Sequence, residues 1–276
     1  MAFEPLHRST PNAFRALFPS ASPIIGVVHL LPLPGFPGSP GVRALIDRAL
    51  RDFETLEAGG VDGVLVENEH DRPHEVCASA RTVAAMTQIT AALVRAARTV
   101  AVGVEILLND PKASVAVAAM TGARFIRTDY FVDRMMRAEY GGEMAIDPAG
   151  LLEHRQTIGA SDVLILADIQ VKYATLIEPV SLVESAAAAR AHGADAIIVT
   201  GTATGVAPGR AEVEAARAGA GSVPILIGSG IDPSNATELI AAADGAIVGT
   251  SLQGADGVDA TRVDLLMRVV RAAGRR

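Results

Sequence analysis

The chain has 276 residues, 50% hydrophobic and 20% charged, with a formal net charge of −7. That is ample material for a sizeable core. The acidic balance, the scattered basic residues, 4% aromatics and no Trp exclude a uniform nucleic-acid surface, which needs clustered cations and stacking rings. With a single cysteine, Cys77, no intramolecular disulfide forms, and its neighbours Val76 and Ala78 suggest a small buried filler. Residues 1–23 carry no basic segment followed by an apolar one, so no signal peptide is read there. No apolar run approaches the roughly 20 residues of a membrane span. A cytoplasmic protein is expected, with an N-terminal extension over 1–23 and one domain over 24–276.

In chain order, short β-rich runs alternate with Ala-rich helical patterns. Strands are expected at 24–29, 61–67, 100–106, 124–128, 163–168, 196–200, 225–228 and 245–249. Each is apolar throughout rather than alternating, the mark of parallel strands covered on both faces. Helices are expected at 43–58, 79–98, 112–120, 148–158, 182–192, 210–218, 233–242 and 261–273. Asp110-Pro111, Asp147-Pro148 and Asp232-Pro233 each set a capping carboxylate before a Pro at the first helical position. Gly59-Gly60, Gly122, Gly193 and Gly219 read as helix ends. Residues 130–147 break the alternation and read as a long loop after the fourth strand, either a lid or an ordinary surface insertion. The pattern predicts an α/β fold, a single (β/α)8 TIM barrel, with an open doubly wound sheet as the runner-up.

Two glycine-rich strand exits stand out, PILIGSG at 224–230 and GAIVGTS at 245–251. Loops after the seventh and eighth strands of many barrels bind phosphate, because glycine lets backbone N–H groups converge on an anion. Gly228, Ser229, Gly230, Gly249 and Thr250 are the phosphate candidates, although the same glycines also suit tight βα turns. Polar groups mark the other exits, which form the active-site face of a barrel. The catalytic candidates are His29, Glu67, Asn68, Glu105, Asp129, Asp168 and Lys172. Asn109, Thr200, Thr202 and Thr204 are candidates for substrate binding.

Crowding of Glu67, Glu105, Asp129 and Asp168 would raise the pKa of one of them for acid–base work, or gather a divalent cation. Lys172 would neutralise Asp168 or, if desolvated, act as a Schiff-base nucleophile; the ion pair is the favoured reading. Nucleotide fingerprints such as GxGxxG and GxxxxGK[ST] are missing, as are HExxH and paired CxxC, and the six histidines lack zinc spacing.

VVHLLPLPG, GVDGVLVEN with DRP behind it, EILLNDPKA, ARFIRTD, ADIQVKYA, ADAIIVTGTATG, PILIGSG and ADGAIVGTSL follow in order over roughly residues 24–270. Together they resemble the BtpA family, also called the BtpA/SgcQ family. The resemblance implies a ribulose-phosphate-binding type of TIM barrel. The family's founding member is described as needed for photosystem I accumulation in cyanobacteria, and SgcQ-type members sit among sugar-metabolism genes. Two positions depart from the family pattern. Arg127-Thr128-Asp129 stands where RVN is usual, and ADIQVKY, ending in Tyr173, where ADVxVKH is usual. A gained acid and a lost histidine at the strand exits would alter substrate or metal preference.

The expected function is an enzyme acting on a small phosphorylated metabolite, a sugar phosphate or nucleotide-like compound, by isomerisation, lysis or glycosyl transfer. The alternatives are a non-enzymatic assembly or stability factor, of the photosystem-biogenesis type, and a metal-dependent hydrolase using His29 and the acids. A homo-oligomer is compatible with such a barrel, but no sequence feature sets the oligomeric state.

Overall fold

Aliphatic runs with no polar face must be covered on both sides, and a ring of parallel strands inside a ring of helices does this without leaving an edge. The computed structural model describes residues 13–273. Its main strands are β1 (Ile24–His29), β2 (Gly63–Glu67), β3 (Ala101–Glu105), β4 (Phe125–Thr128), β5 (Leu164–Ile169), β6 (Ala196–Val199), β7 (Ile225–Ile227) and β8 (Gly245–Val248). All pair in parallel with their sequence neighbours, and β8 pairs back onto β1, so the barrel is closed and the open-sheet alternative is excluded. The expected strands lie within two residues of these bounds.

Local chemistry explains the helix ends. The Asp110 and Asp147 carboxylates accept from the Ala113 and Gly150 N–H groups, and a Pro follows each. Asp232 departs from that expectation: it accepts from the Ser234 N–H within a turn, and the helix, Ala236–Ile240, starts only after Asn235. Gly219 also differs. It lies inside the helix Arg210–Ala220, where an added Cβ would sit 2.0 Å from the Val183 carbonyl oxygen. Its smallness lets that helix approach the preceding one, Leu182–Ala191, closely.

Along each strand alternate residues face the barrel axis. Toward the N-terminal ends these are Ile25, Val27, Leu65, Phe125, Leu164, Leu166, Ala196, Ile198, Leu226 and Ile247, which form one apolar cluster. Phe14, from a short helix Ala13–Leu17, and Phe18 complete it from below. The Phe18 ring lies 4.9 Å from that of Phe14 and 5.6 Å from that of Phe125, centroid to centroid. Gly103 makes room for Phe125: a Cβ there would lie 2.2 Å from the ring. Residues 13–23 of the expected extension therefore plug the barrel, while residues 1–12 lie outside the described residues.

Residues 130–147 are not an unstructured loop. Met135–Arg137 and Gly142–Glu143 join Thr175–Leu176, from the segment after β5, in a three-stranded antiparallel sheet. Beneath it Leu108, Tyr130, Met135, Met144 and Val171 form a small core of their own. Cys77 is exposed, which overturns its reading as a buried filler. Among the described residues no helix is long and apolar enough to cross a membrane.

Candidate active site

The inward parity that fills the barrel's lower half with apolar side chains changes character one step higher. Two residues beyond Val27, Leu65, Gly103, Phe125, Leu166, Ile198, Leu226 and Ile247 stand His29, Glu67, Glu105, Arg127, Asp168, Thr200, Gly228 and Gly249. The strand register sets His29 beside Glu67, and Glu67 beside Glu105.

Arg127 organises this layer. It is buried, and its Nε and Nη2 donate to the two oxygens of Asp168 at 2.8 and 3.0 Å. Its Nη1 reaches Glu67 Oε1 at 3.3 Å, and Glu105 Oε2 lies 3.7 Å from its Nε. A planar guanidinium suits several carboxylates at once, because its donors fan out in a fixed fork. Asp168 is thus paired with Arg127; Lys172 forms no ion pair within 4 Å among the described residues, which corrects its expected role as the Asp168 partner.

One cation cannot neutralise four acids, and their environments divide them. Burial pushes the Glu67 carboxyl up, but Arg127, His29 and a hydrogen bond with Glu105 outweigh it and hold the group below its ordinary range. Burial, then Asp129, pushes Glu105 well above its ordinary range despite Arg127. Glu105 Oε2 is buried and has no hydrogen-bond partner. Burial and the Asp168 charge likewise raise Asp129 to about 6, against a partial offset by Arg127 and Lys172. The layer therefore sets carboxyls pushed below and above their ordinary ranges side by side.

His29 Nε2 lies 3.8 Å from Glu67 Oε2, and the His70 ring stands edge-on to it with centroids 6.4 Å apart. A Cβ at Gly249 would come within 2.8 Å of the His29 ring, so glycine there makes room for the imidazole. His29, Glu67, Arg127 and Lys172 line a cavity of about 1120 Å³. All five phosphate candidates, Gly228, Ser229, Gly230, Gly249 and Thr250, line it too, as does Thr204. The Ser229 hydroxyl is already used: it accepts from the Gly201 N–H at 2.9 Å and donates to the Val206 carbonyl at 2.8 Å. At that position only the backbone remains for an anion.

Other expected residues serve the scaffold. Asn68 has the opposite parity to Glu67; its amide is spent on Asp71 and on both backbone groups of Leu107, so it is a buried pin and not a bowl residue. Asp71 in turn accepts from the Leu33 N–H and fixes the loop after β1. Asn109 donates to the Ala145 carbonyl, tying the small sheet to the loop after β3. Thr202 is exposed and does not line the cavity. Thr200 is buried, and its hydroxyl has no partner. The Thr204 N–H donates to the Tyr173 hydroxyl at 2.8 Å, so the tyrosine at the departing position bridges two loops from a left-handed backbone, φ 64°.

The acids do not fit a divalent cation, because the Arg127 guanidinium sits between them. Among the described residues no group of three or more His, Cys, Asp or Glu side chains has a metal-holding arrangement. Arg127 itself escaped the sequence reading as a site residue. The available signal was parity: it stands two residues beyond the core residue Phe125, as Glu67 does beyond Leu65.

A closed parallel barrel with its ionisable groups gathered at the strand C-termini makes this a TIM-barrel protein. It is similar in fold to (S)-3-O-geranylgeranylglyceryl phosphate synthase from Thermoplasma acidophilum in complex with its substrate sn-glycerol-1-phosphate, with a TM-score of 0.62 and 16% identity over 96% of this chain and 100% of that one. Thiamine phosphate pyrophosphorylase from Pyrococcus furiosus gives a TM-score of 0.58 and 16% identity over 92% and 96% of the two chains. The family is more specific: the BtpA family model matches residues 20–272, and the chain belongs to that family. The photosystem I biogenesis protein BtpA of Synechocystis is 38% identical over 239 residues, covering 86% of this chain and 82% of the relative. An uncharacterised protein of Archaeoglobus fulgidus is 35% identical over 250 residues, covering 91% and 98%.

Proposed function

We propose that the protein is an enzyme acting on a small phosphorylated metabolite. The observation that carries this reading is that one cavity joins the Gly228–Gly230 and Gly249–Thr250 wall to the ionisable groups His29, Glu67 and Lys172. Backbone-lined glycine turns suit a phosphate, and a substrate anchored there extends its carbon skeleton over the charged floor. Glu67, kept ionised, accepts a proton in partnership with His29, while the Lys172 ammonium polarises an oxygen of the substrate. Asp129, raised to about 6 by burial and the Asp168 charge, titrates near working pH close to this group. The names of the fold neighbours, a glyceryl phosphate synthase and a thiamine phosphate pyrophosphorylase, support a phosphorylated ligand.

The test is a thermal-shift screen of the protein and its Thr250→Asp variant against inorganic phosphate, sugar phosphates and nucleotides. Thr250 is exposed and lines the cavity, so the variant keeps its fold while placing a like charge where the phosphate would sit. A native-state ligand raises apparent stability with the logarithm of its saturation. Shifts that vanish in the variant support the reading. Equal shifts in both proteins, or none with any phosphorylated compound, overturn it. In the latter case the weight moves to an assembly factor, the reading that the name of the Synechocystis relative supports.

A further inference from the structure

Asp133, in the loop after β4, is a buried acid outside the carboxyl layer, and among the described residues it forms no ion pair. Burial pushes its carboxyl above the ordinary range, against two hydrogen bonds that partly offset the cost. Its Oδ2 accepts from the Gln170 N–H at 2.8 Å, and its Oδ1 from the Ser185 hydroxyl at 2.6 Å. The Gln170 amide donates in turn to the Ser185 hydroxyl at 3.0 Å and to the Val180 carbonyl at 2.9 Å. Asp133 thus ties the loop after β4 to the segment that leaves β5.

That segment is strained. Among the described residues Gln170 and Tyr173 are the only non-glycine residues with left-handed backbones, at φ 46° and 64°. Crowding at Cβ disfavours such backbones, which persist only where the surroundings hold them. Within 170–173 every side chain but one is held. Gln170 is bound to Ser185, and Val171 is buried in the small core. Tyr173 accepts from the Thr204 N–H, and the Arg137 guanidinium packs over its ring, 5.8 Å from the centroid. The exception is Lys172. It forms no ion pair among the described residues, it lines the cavity, and its charge acts on both Glu67 and Asp129. It is also one of only two lysines among the 24 lysine and arginine residues of the chain. The other, Lys112, is exposed and paired with Asp147, with Nζ 2.9 Å from Oδ2.

We propose that Asp133 and Tyr173 are positioning residues. From the loops on either side they hold the two left-handed turns that flank Lys172, and so set its ammonium beside Glu67 and Asp129, where it meets a substrate oxygen. What the ammonium meets rests on the phosphorylated-metabolite reading; its placement does not.

The scarcity of lysine makes the test direct. Protein carrying lysine isotope-labelled at Cε gives one NMR signal for Lys112 and one for Lys172, and Lys112→Arg identifies the first. In the wild type the Lys172 signal should be displaced from that of the exposed Lys112. Asp133→Ala should lose the displacement. Asp133→Asn, whose amide oxygen still accepts from the Gln170 N–H, should keep it. Tyr173→Phe deletes only a hydroxyl on an exposed ring and keeps the fold, and it should reduce the displacement. Phe18→Ala weakens the opposite end of the barrel and should leave the displacement in place, so loss of stability alone does not imitate the effect. Should Asp133→Ala fail to fold, Tyr173→Phe carries the same test. A displacement that survives either variant overturns the role of the residue replaced. Coincident signals in the wild type, or an equal loss in Phe18→Ala, overturn the proposal. If the signals behave as expected but no phosphorylated compound binds, the metabolite reading falls and the placement of Lys172 stands.

Discussion

The two ends of the barrel interior are built by the same strands and the same inward parity, yet they obey opposite rules. At the N-terminal end Phe14, Phe18 and Phe125 fill the space with hydrocarbon. Two residues further along the strands, a rise of about 6.6 Å, the interior holds Arg127 and three carboxylates against it. The lower end gains from removing apolar surface from water. The upper end retains charges whose desolvation is costly and is only partly repaid by pairing. The contrast separates a region that secures the fold from a region that carries chemistry, and substitutions at the two ends should fail in different ways.

The largest effect is expected from Arg127→Met. Removing the cation strands Glu67 and Asp168 as buried charges, at a cost of about 3–5 kcal/mol. Urea unfolding near neutral pH should show the full loss, and the deficit should shrink in acid, where the carboxyls take up protons; a pH-independent deficit would mean that packing, not charge, is lost. Phe18→Ala breaks the other end. A cavity beneath Phe125 should cost about 3 kcal/mol or more at every pH, and ligand-induced thermal shifts should persist in the variant. A lost ligand response there would show that the two ends are not separable.

Asp129→Asn sharpens the comparison through pH. The Asp129 carboxyl is raised from 3.8 to about 6 in the folded protein, so its ionisation opposes folding. Wild-type stability is therefore free of this penalty below the unfolded value and loses on the order of 2–3 kcal/mol as pH rises through the window up to the folded value. The variant should be more stable than wild type near pH 8, with no advantage near pH 3. Denaturant midpoints at the two pH values measure this, and a constant difference between the proteins would refute it. The smallest effect belongs to Glu105→Gln. A carboxyl that stays protonated can be replaced by an amide that still donates to Glu67, so stability near neutral pH should change by less than about 1 kcal/mol. A loss of several kcal/mol would mean that Glu105 is ionised in the folded protein.

Much of this architecture is legible in the chain because it is local. Eight uniformly apolar runs specify strands buried on both faces, and Asp110-Pro111 and Asp147-Pro148 mark helix starts by capping chemistry that needs only neighbouring residues. Asp232-Pro233 carries the same letters but opens a turn, because Asp232 and Ser234 bond to each other before the helix begins. Position at the strand exits picks out His29, Glu67, Lys172 and the Gly228–Gly230 and Gly249–Thr250 turns, which line one cavity, but Asn68 and Ser229 have the opposite parity to the inward-facing Glu67 and Gly228. Their side chains are spent on Asp71 and Leu107, and on Gly201 and Val206, partners distant in sequence or in another loop. The small sheet over 130–147 also lay beyond sequence reasoning, since its third strand, Thr175–Leu176, comes from a different loop.

By itself, then, the sequence determined the periodicities, the caps and the supply of charged groups at the strand ends, all of which act over a few residues. Only the tertiary structure decided how the charge is shared. Closing the barrel brings Glu67, Glu105, Arg127 and Asp168 from four strands into one buried layer, and there the guanidinium is committed to Asp168 while burial and the neighbouring acid push the Glu105 carboxyl well above its ordinary range. That division depends on distances and desolvation, which exist only once strands far apart in the chain lie side by side.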